Sequence, residues 1–150
     1  MKDKYNYGFT LIELLVVIAI IGTLSSVVLA SLNNTRVRAE DSAIKADLNS
    51  IRSQAELYYS SRQTFGVFGP ATCPVAFLAG NVFSGDQIIV NAINHAMGQG
   101  GTGSFCSTNG ALWAVSIGLK SSGSWCIDSL GVAKQSLGIP SASIAGNICL

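Results

Sequence analysis

The first third of the chain carries a pattern of apolar residues that predicts one long helix. From Leu14 to Leu32 the sequence has 19 consecutive residues without a charge, close to the roughly 20 apolar residues that a helix needs to cross a bilayer. No Pro or Gly interrupts residues 23–61, so we predict a single helix over residues 9–61. Beyond the uncharged run, apolar residues recur at the spacing of one helix face; they are Val37, Ile44, Leu48, Ile51, Ala55 and Tyr58.

The two halves of this predicted helix differ in polarity. Residues 9–32 are apolar on nearly every side, with Glu13 as the exception, whereas residues 33–61 are amphipathic. A helix with one apolar face needs a partner for that face. We therefore expect residues 62–150 to form a globular head that packs on the second half of the helix. The charged residues of that half lie away from the apolar stripe in this pattern; they are Arg38, Glu40, Asp41, Lys45, Asp47, Arg52 and Glu56.

The head begins with turn-forming residues and leads into a predicted antiparallel sheet. Gly and Pro recur through residues 66–80, and SGDQIIVNAINHAMG then predicts a short helix with Ser84 as its N-cap and Gly98 at its end. After the loop GQGGTGS, the segments ALWAVSIGL, SWCID and VAKQ predict a three-stranded meander. The predicted fold class is α+β, a long N-terminal helix packed on a small antiparallel sheet.

Four cysteines indicate disulfide bonds and an oxidising compartment. They are Cys73, Cys106, Cys126 and Cys149, and no two of them have the C-x-x-C spacing of zinc or redox sites. An even number of widely spaced cysteines is typical of a disulfide framework, and four cysteines allow three pairings. Cys149 lies almost at the end of an irregular segment, so we expect a disulfide to pin that segment.

The charge and the remaining polar residues indicate no catalytic chemistry. With 11% charged residues and a net charge of +1, the chain has no basic field to attract nucleic acid. The single histidine, His95, has no nucleophile motif beside it. Asp86 and Asp128 are few acidic groups for a calcium ion that prefers six or more oxygens. We therefore expect no catalytic residue, no metal and no cofactor, and a structural protein rather than an enzyme.

Glu13 is the residue that a membrane helix leaves unexplained. It lies inside GFTLIELLVVIAIIG, residues 8–22, and a charged side chain at membrane depth costs on the order of 3 kcal/mol. A glutamate near the membrane edge escapes this cost when it is protonated or when its carboxylate reaches water. The other interpretation is that Glu13 has a specific partner of opposite charge.

The motif GFTLIELLVVIAIIG resembles the N-terminus of type IV pilins and of the pseudopilins of type II secretion systems. The resemblance is close over about residues 2–30, with a short basic leader, then Gly8 and Phe9, and then Glu13 at the fifth position after Gly8. The long helix, the small sheet and the Cys-pinned C-terminal segment fit the same family more loosely, so the expected fold is pilin-like.

The resemblance implies a processing and assembly sequence. Residues 1–8 would be a leader that prepilin peptidase removes after Gly8, and Phe9 would then be N-methylated. Residues 9–32 would anchor the chain in the inner membrane and later pack in a filament, where Glu13 pairs with the N-terminal amine of a neighbouring subunit. The implied product is an extracellular homo-oligomeric pilus, built by an assembly platform and an ATPase, that serves adhesion, motility or contact with DNA or surfaces.

Two features depart from the family pattern. Many members have a Pro where this chain has Ala30, and many have a single C-terminal disulfide. Among the three pairings we favour Cys126–Cys149, by analogy with that bridge, together with Cys73–Cys106 across the loop that carries the short helix. The missing Pro and the weak calcium site favour a pilin over the alternative function, a type II secretion pseudopilin.

An ordinary secreted domain is a third interpretation. Val28 and Ala30 satisfy the small-residue rule for signal-peptide cleavage after Ala30, which would release residues 31–150 as a binding module. This interpretation gives no role to Glu13 or to the Gly-Phe-Thr sequence before the apolar run, so we favour the pilin.

Overall fold

The structure is a computed structural model that describes residues 8–150. The predicted leader therefore lies outside the described residues, except for Gly8. The chain divides into two compact units, one ending at Arg36 and the other running from Val37 to Leu150. We describe each unit by itself.

The predicted long helix is confirmed. Helix α1 runs over Leu11–Arg62, two residues later at its start and one residue later at its end than predicted. It ends where Gln63 takes a left-handed conformation, with φ at 58°, while the Gln63 amide still donates to the Tyr59 carbonyl at 2.7 Å. Such a left-handed residue is a common way for a helix to end.

The predicted apolar stripe of α1 forms one side of the core of the second unit. Ile44, Leu48, Ile51 and Ala55 are completely buried, and Tyr58 is nearly so; Val37 is half-buried. The stripe packs against residues from the second helix, the strands and the intervening loop; among them are Val82, Phe83, Ile89, Ile93, Trp113, Val115, Ile117 and Ile127.

The assignment of every charge on α1 to the solvent side is wrong for Asp41. This residue is buried, and its Oδ1 accepts hydrogen bonds from the amides of Lys120 at 2.8 Å and Ser121 at 3.4 Å. One turn of backbone in the head thus receives the carboxylate, which compensates for its burial. Beside it, Lys120 forms an ion pair with Glu40 at 2.6 Å.

The predicted short helix is confirmed, but with a different cap. Helix α2 covers Gln87–Gly98, and its N-cap is Asp86, whose carboxylate accepts from the amides of Ile88 and Ile89. Ser84, which we expected to cap this helix, is buried before it. An aspartate satisfies the unpaired amides of a first turn as well as a serine does, so the sequence pattern did not distinguish the two.

The prediction of three strands is wrong, because the sheet has five. The strands β1 to β5 follow one another in chain order, and each pairs antiparallel with the next. The three predicted strands are β3, β4 and β5, and the sequence pattern did not reveal the first two. The bounds are Val67–Ala71, Ser104–Asn109, Trp113–Gly118, Ser124–Asp128 and Ala133–Ser136.

The edge strand β1 is built around a glycine turn. Gly66, just before β1, has φ at 72° and forms an isolated antiparallel bridge with Asn81. A Cβ at this position would lie 2.2 Å from the Gly80 carbonyl oxygen, so the close approach of the two backbones requires glycine.

The sheet is covered on both faces, which explains why every residue of β3 is buried. The helices cover the face that carries Trp113, Val115 and Ile117. The last eleven residues, 140–150, cover the opposite face and are called the C-terminal cap below. The cap consists of a 3₁₀ helix over Pro140–Ser143 and a hairpin of β6, Ile144–Ala145, and β7, Ile148–Cys149.

Two disulfides complete the head. They join Cys73 to Cys106 and Cys126 to Cys149, which are the pairs that we favoured from the sequence. The first links the loop before α2 to β2, and the second links β4 to the cap. The α+β fold class, a long helix on a small antiparallel sheet, is confirmed by these elements.

Candidate functional site

The start of helix α1 is a capping box formed by Thr10 and Glu13. The Thr10 hydroxyl accepts from the Glu13 amide at 3.3 Å, and Glu13 Oε2 accepts from the Thr10 amide at 2.8 Å and from its hydroxyl at 2.6 Å. This reciprocal arrangement satisfies two amides that the first turn leaves without helical partners. The T-x-x-E spacing in TLIE was the sequence signal for it, and our sequence analysis missed it.

Glu13 retains acceptor capacity beyond this box. Both bonds from Thr10 reach the same oxygen, Oε2. Within residues 8–150, Oε1 accepts no hydrogen bond and is open to a further donor. The side chain is exposed. The carboxylate therefore stands at the positive end of the helix dipole, held in place and open on one side.

The apolar residues that follow Glu13 are exposed along the whole first half of the helix. From Phe9 to Leu32 the large apolar side chains are 46–78% exposed. A soluble protein rarely exposes a continuous apolar surface of this extent unless the surface contacts a membrane or another protein. By length and composition, α1 is the one helix among the described residues that is able to cross a membrane.

Two of the hydroxyl groups in this apolar half donate hydrogen bonds within the helix. Thr23 Oγ1 donates to the Ile20 carbonyl and Ser26 Oγ to the Thr23 carbonyl, each at 2.9 Å. Because these groups are already hydrogen-bonded, they add little cost when the helix is surrounded by lipid or by other helices. The helix continues without interruption through Gly22 and through Ala30.

The polar residues that we considered for other chemistry have structural contacts in the head. His95 Nδ1 lies 2.8 Å from Asp47 Oδ2 on α1. Asp86 caps α2 and accepts from Gln54 at 2.8 Å. Asp128 is fully buried and accepts from three backbone amides. Trp113 is in the core, whereas Trp125 is half-buried under the Lys45 ammonium group, 4.5 Å from its ring centre.

Comparison with known proteins finds matches to the N-terminal part of the chain. Residues 3–29 match the family described as "Prokaryotic N-terminal methylation motif". The chain is 43% identical over 58 residues to the "Type IV wide pilus major component PilA4" of Thermus thermophilus, which covers 39% of this chain and 44% of that protein. The N-terminal part of the chain is thus similar to type IV pilins.

A second relative is also a type IV pilus protein by its name. The "Type IV major pilin protein PilA" of Myxococcus xanthus is 32% identical over 63 residues, which covers 42% of this chain and 29% of that protein. The chain thus spans less than half of the length of either relative. No solved structure matches the chain. One relative is named as a pilus component and the other as a pilin, in line with the expectation of a structural protein.

Proposed function

We propose that this protein is a structural subunit of a bacterial type IV pilus, polymerised through the first half of α1. The observation that carries the proposal is the exposed apolar surface from Phe9 to Leu32, with Glu13 at its start. Such a surface suits a membrane before assembly and the helical bundle of a filament after it. The related pilins support this function over that of an unrelated membrane anchor.

Glu13 would set the register of assembly. In the single chain its carboxylate is exposed and bound to Thr10. In a filament of apolar helices an unpaired carboxylate is costly, and a staggered neighbour whose N-terminal amine reaches Glu13 removes that cost. The open Oε1 gives this amine a place to bind while the bonds from Thr10 remain.

The amine requires processing of the N-terminus. We propose cleavage by prepilin peptidase between Gly8 and Phe9, followed by N-methylation of Phe9, as the matched motif implies. A Cβ at Gly8 would meet no atom within 4 Å, so the fold of the described chain does not require glycine there. The requirement would come from the peptidase, which must accept the scissile bond in its site.

The proposed division of the chain follows from this processing. Residues 1–8 are the leader, 9–32 the membrane and assembly half of α1, 33–61 its amphipathic half, and 62–150 the head. The precursor crosses the inner membrane once, and the assembly platform and its ATPase transfer it into an extracellular homo-oligomer. Adhesion, motility and contact with DNA or surfaces are the functions that such a filament serves.

Replacement of the Glu13 charge tests the assembly role. We expect Glu13→Gln to lower the amount of the protein in the sheared surface fraction at least about tenfold, because removing one partner of a buried ion pair costs about 3–5 kcal/mol. The measurement is an immunoblot of sheared and whole-cell fractions from the native cells. Glu56→Gln is the matched control, because Glu56 is an exposed glutamate on the same helix, and it should leave the sheared fraction unchanged.

Two results would contradict the proposal. Sheared Glu13→Gln protein at the wild-type level would remove the register role of the carboxylate. Absence of the wild-type protein from the sheared fraction, with the processed form retained in the cell envelope, would favour a type II secretion pseudopilin.

A further inference from the structure

The C-terminal cap is held together by a tight turn and a hydrogen bond within its own residues. Its two short strands are joined by Gly146 and Asn147, which both have positive φ, at 60° and 66°. Two successive residues of this conformation form the tight turn that suits the twist of a hairpin. At the end of the cap, the Leu150 amide donates to the Ser143 carbonyl at 2.9 Å, which closes the segment into a compact unit.

The contact between the cap and the sheet contains little large apolar surface. The buried cluster on this face consists of Ala114, Cys126, Ile144 and Cys149, with Phe105 and Val132 packed beside it. Of the buried members that the cap contributes, Ile144 is the one large aliphatic side chain. The free energy gained from hydrophobic burial is proportional to the apolar area removed from water. Other interactions are therefore needed to hold these eleven residues on the sheet.

Asp128 supplies the strongest of those interactions. It lies at the end of β4 and is fully buried. Its Oδ2 accepts from the Cys149 amide at 3.0 Å, while its Oδ1 accepts from the amides of Leu130 and Val132, also at 3.0 Å. One carboxylate thus joins the last strand of the cap to the turn that follows β4. Hydrogen bonds to an ionised acceptor are about twice as strong as neutral ones.

Two further polar contacts bind the other parts of the cap. Ser124 and Ser143 share a hydrogen bond of 2.6 Å between their hydroxyls, in a fully enclosed position. Ser107 on β2 donates to the Asn147 side-chain carbonyl in the hairpin turn. Neither of these contacts, nor the Asp128 bonds, involves a cysteine side chain, so all of them are compatible with an open disulfide.

We propose that Asp128 is a non-covalent clasp that holds the C-terminal cap on the sheet independently of the Cys126–Cys149 disulfide. Cys126 and Asp128 lie on the same face of β4, two residues apart, and the amide of Cys149 is bound at that face. The clasp therefore places the two sulfurs next to each other while they are still thiols. This role concerns the head alone and does not depend on the proposed assembly.

Asparagine cannot replace this carboxylate. Asp128 uses both of its oxygens as acceptors, whereas an asparagine offers one oxygen and an NH₂ group that only donates. Asp128→Asn must therefore place a donor against a donor, either at the Cys149 amide or at the amides of the turn. The side-chain volume is nearly unchanged, so any loss of protection from hydrogen exchange results from the lost hydrogen bonds and charge.

Hydrogen exchange by mass spectrometry of the full chain in detergent micelles tests the clasp. The compared proteins are C126S/C149S and the same variant with D128N added; both keep Cys73–Cys106. We expect slow exchange over residues 140–150 in C126S/C149S and exchange about tenfold faster or more when D128N is added, since the lost bonds are charge-assisted. Peptides from β3 should stay protected in both proteins, which shows that the sheet remains folded.

Equal, fast exchange of the cap in both proteins would overturn the proposal, because the disulfide alone would then hold the cap. If C126S/C149S does not fold, D128N in the disulfide-bonded protein decides the question. The amides of Leu130, Val132 and Cys149 should exchange at least about tenfold faster, and unchanged rates would overturn the proposal. D86N is the matched control, since Asn is an equally good N-cap, and it should not affect the cap.

Discussion

Glu13 has two roles to reconcile at the scale of single residues. In the described chain it closes a capping box with Thr10, and in the proposed filament it receives the amine of a neighbour. The roles are compatible because they use different oxygens of one carboxylate. The capping box also orients the Glu13 side chain toward the N-terminal end of the helix. Pairing with the amine therefore costs less side-chain conformational entropy.

Removing the Thr10 hydroxyl should loosen the first turn of α1. We expect Thr10→Ala to destabilise this turn by about 1 kcal/mol, the usual cost of losing a side-chain cap, and to speed the exchange of the Glu13 amide about fivefold. Amide exchange measured by NMR of the full chain in micelles checks this. Thr10→Ser keeps the hydroxyl and should exchange like the wild type; equal rates for alanine and wild type would show that the box contributes nothing.

At the scale of elements, the two halves of helix α1 differ in where their apolar residues lie. The first half exposes its apolar residues, and the second buries a stripe of them in the core of the head. The sequence predicted this division because the periodicity changes at about residue 33. It did not predict that Asp41 would be buried, since the carboxylate is compensated by amides from residues 120 and 121, which are distant in the sequence.

Two leucines on the second half provide a matched test of the stripe. Leu48 is completely buried, whereas Leu57 is 61% exposed on the same helix. We expect Leu48→Ala to lower the free energy of unfolding of the head by about 2–5 kcal/mol, and Leu57→Ala to change it by less than about 0.5 kcal/mol. Guanidinium unfolding in non-ionic detergent, followed by tryptophan fluorescence, measures both. Equal losses would contradict the assigned helix face.

The strands show where sequence reasoning stopped. Strands β3 and β4 have the alternating β-branched and aromatic residues that predict a strand. Strand β1 reads VFGPA, with a Gly and a Pro inside it, and β2 reads SFCSTN, with mostly small polar residues. Their pairing depends on neighbours in the sheet, on the Gly66 turn and on the Cys73–Cys106 bridge, and a local pattern contains none of these.

At the scale of the whole molecule, the two disulfides agree with a head outside the cytoplasm. The bridges span 33 and 23 residues, and loops of this length contribute about 3–4 kcal/mol each in the chain-entropy model. Such bonds form and persist in oxidising compartments. The proposed pilus would be assembled from a membrane-anchored precursor with a head of this kind.

The intact mass and N-terminal sequence of the protein sheared from its native cells test the central claim most directly. The account predicts a chain that begins at N-methylated Phe9, with Glu13 at its fifth position, recovered in the sheared fraction. A chain that begins at Ser31 would lack the exposed apolar helix and would contradict assembly through it. A chain that still begins at Met1 would contradict processing at Gly8.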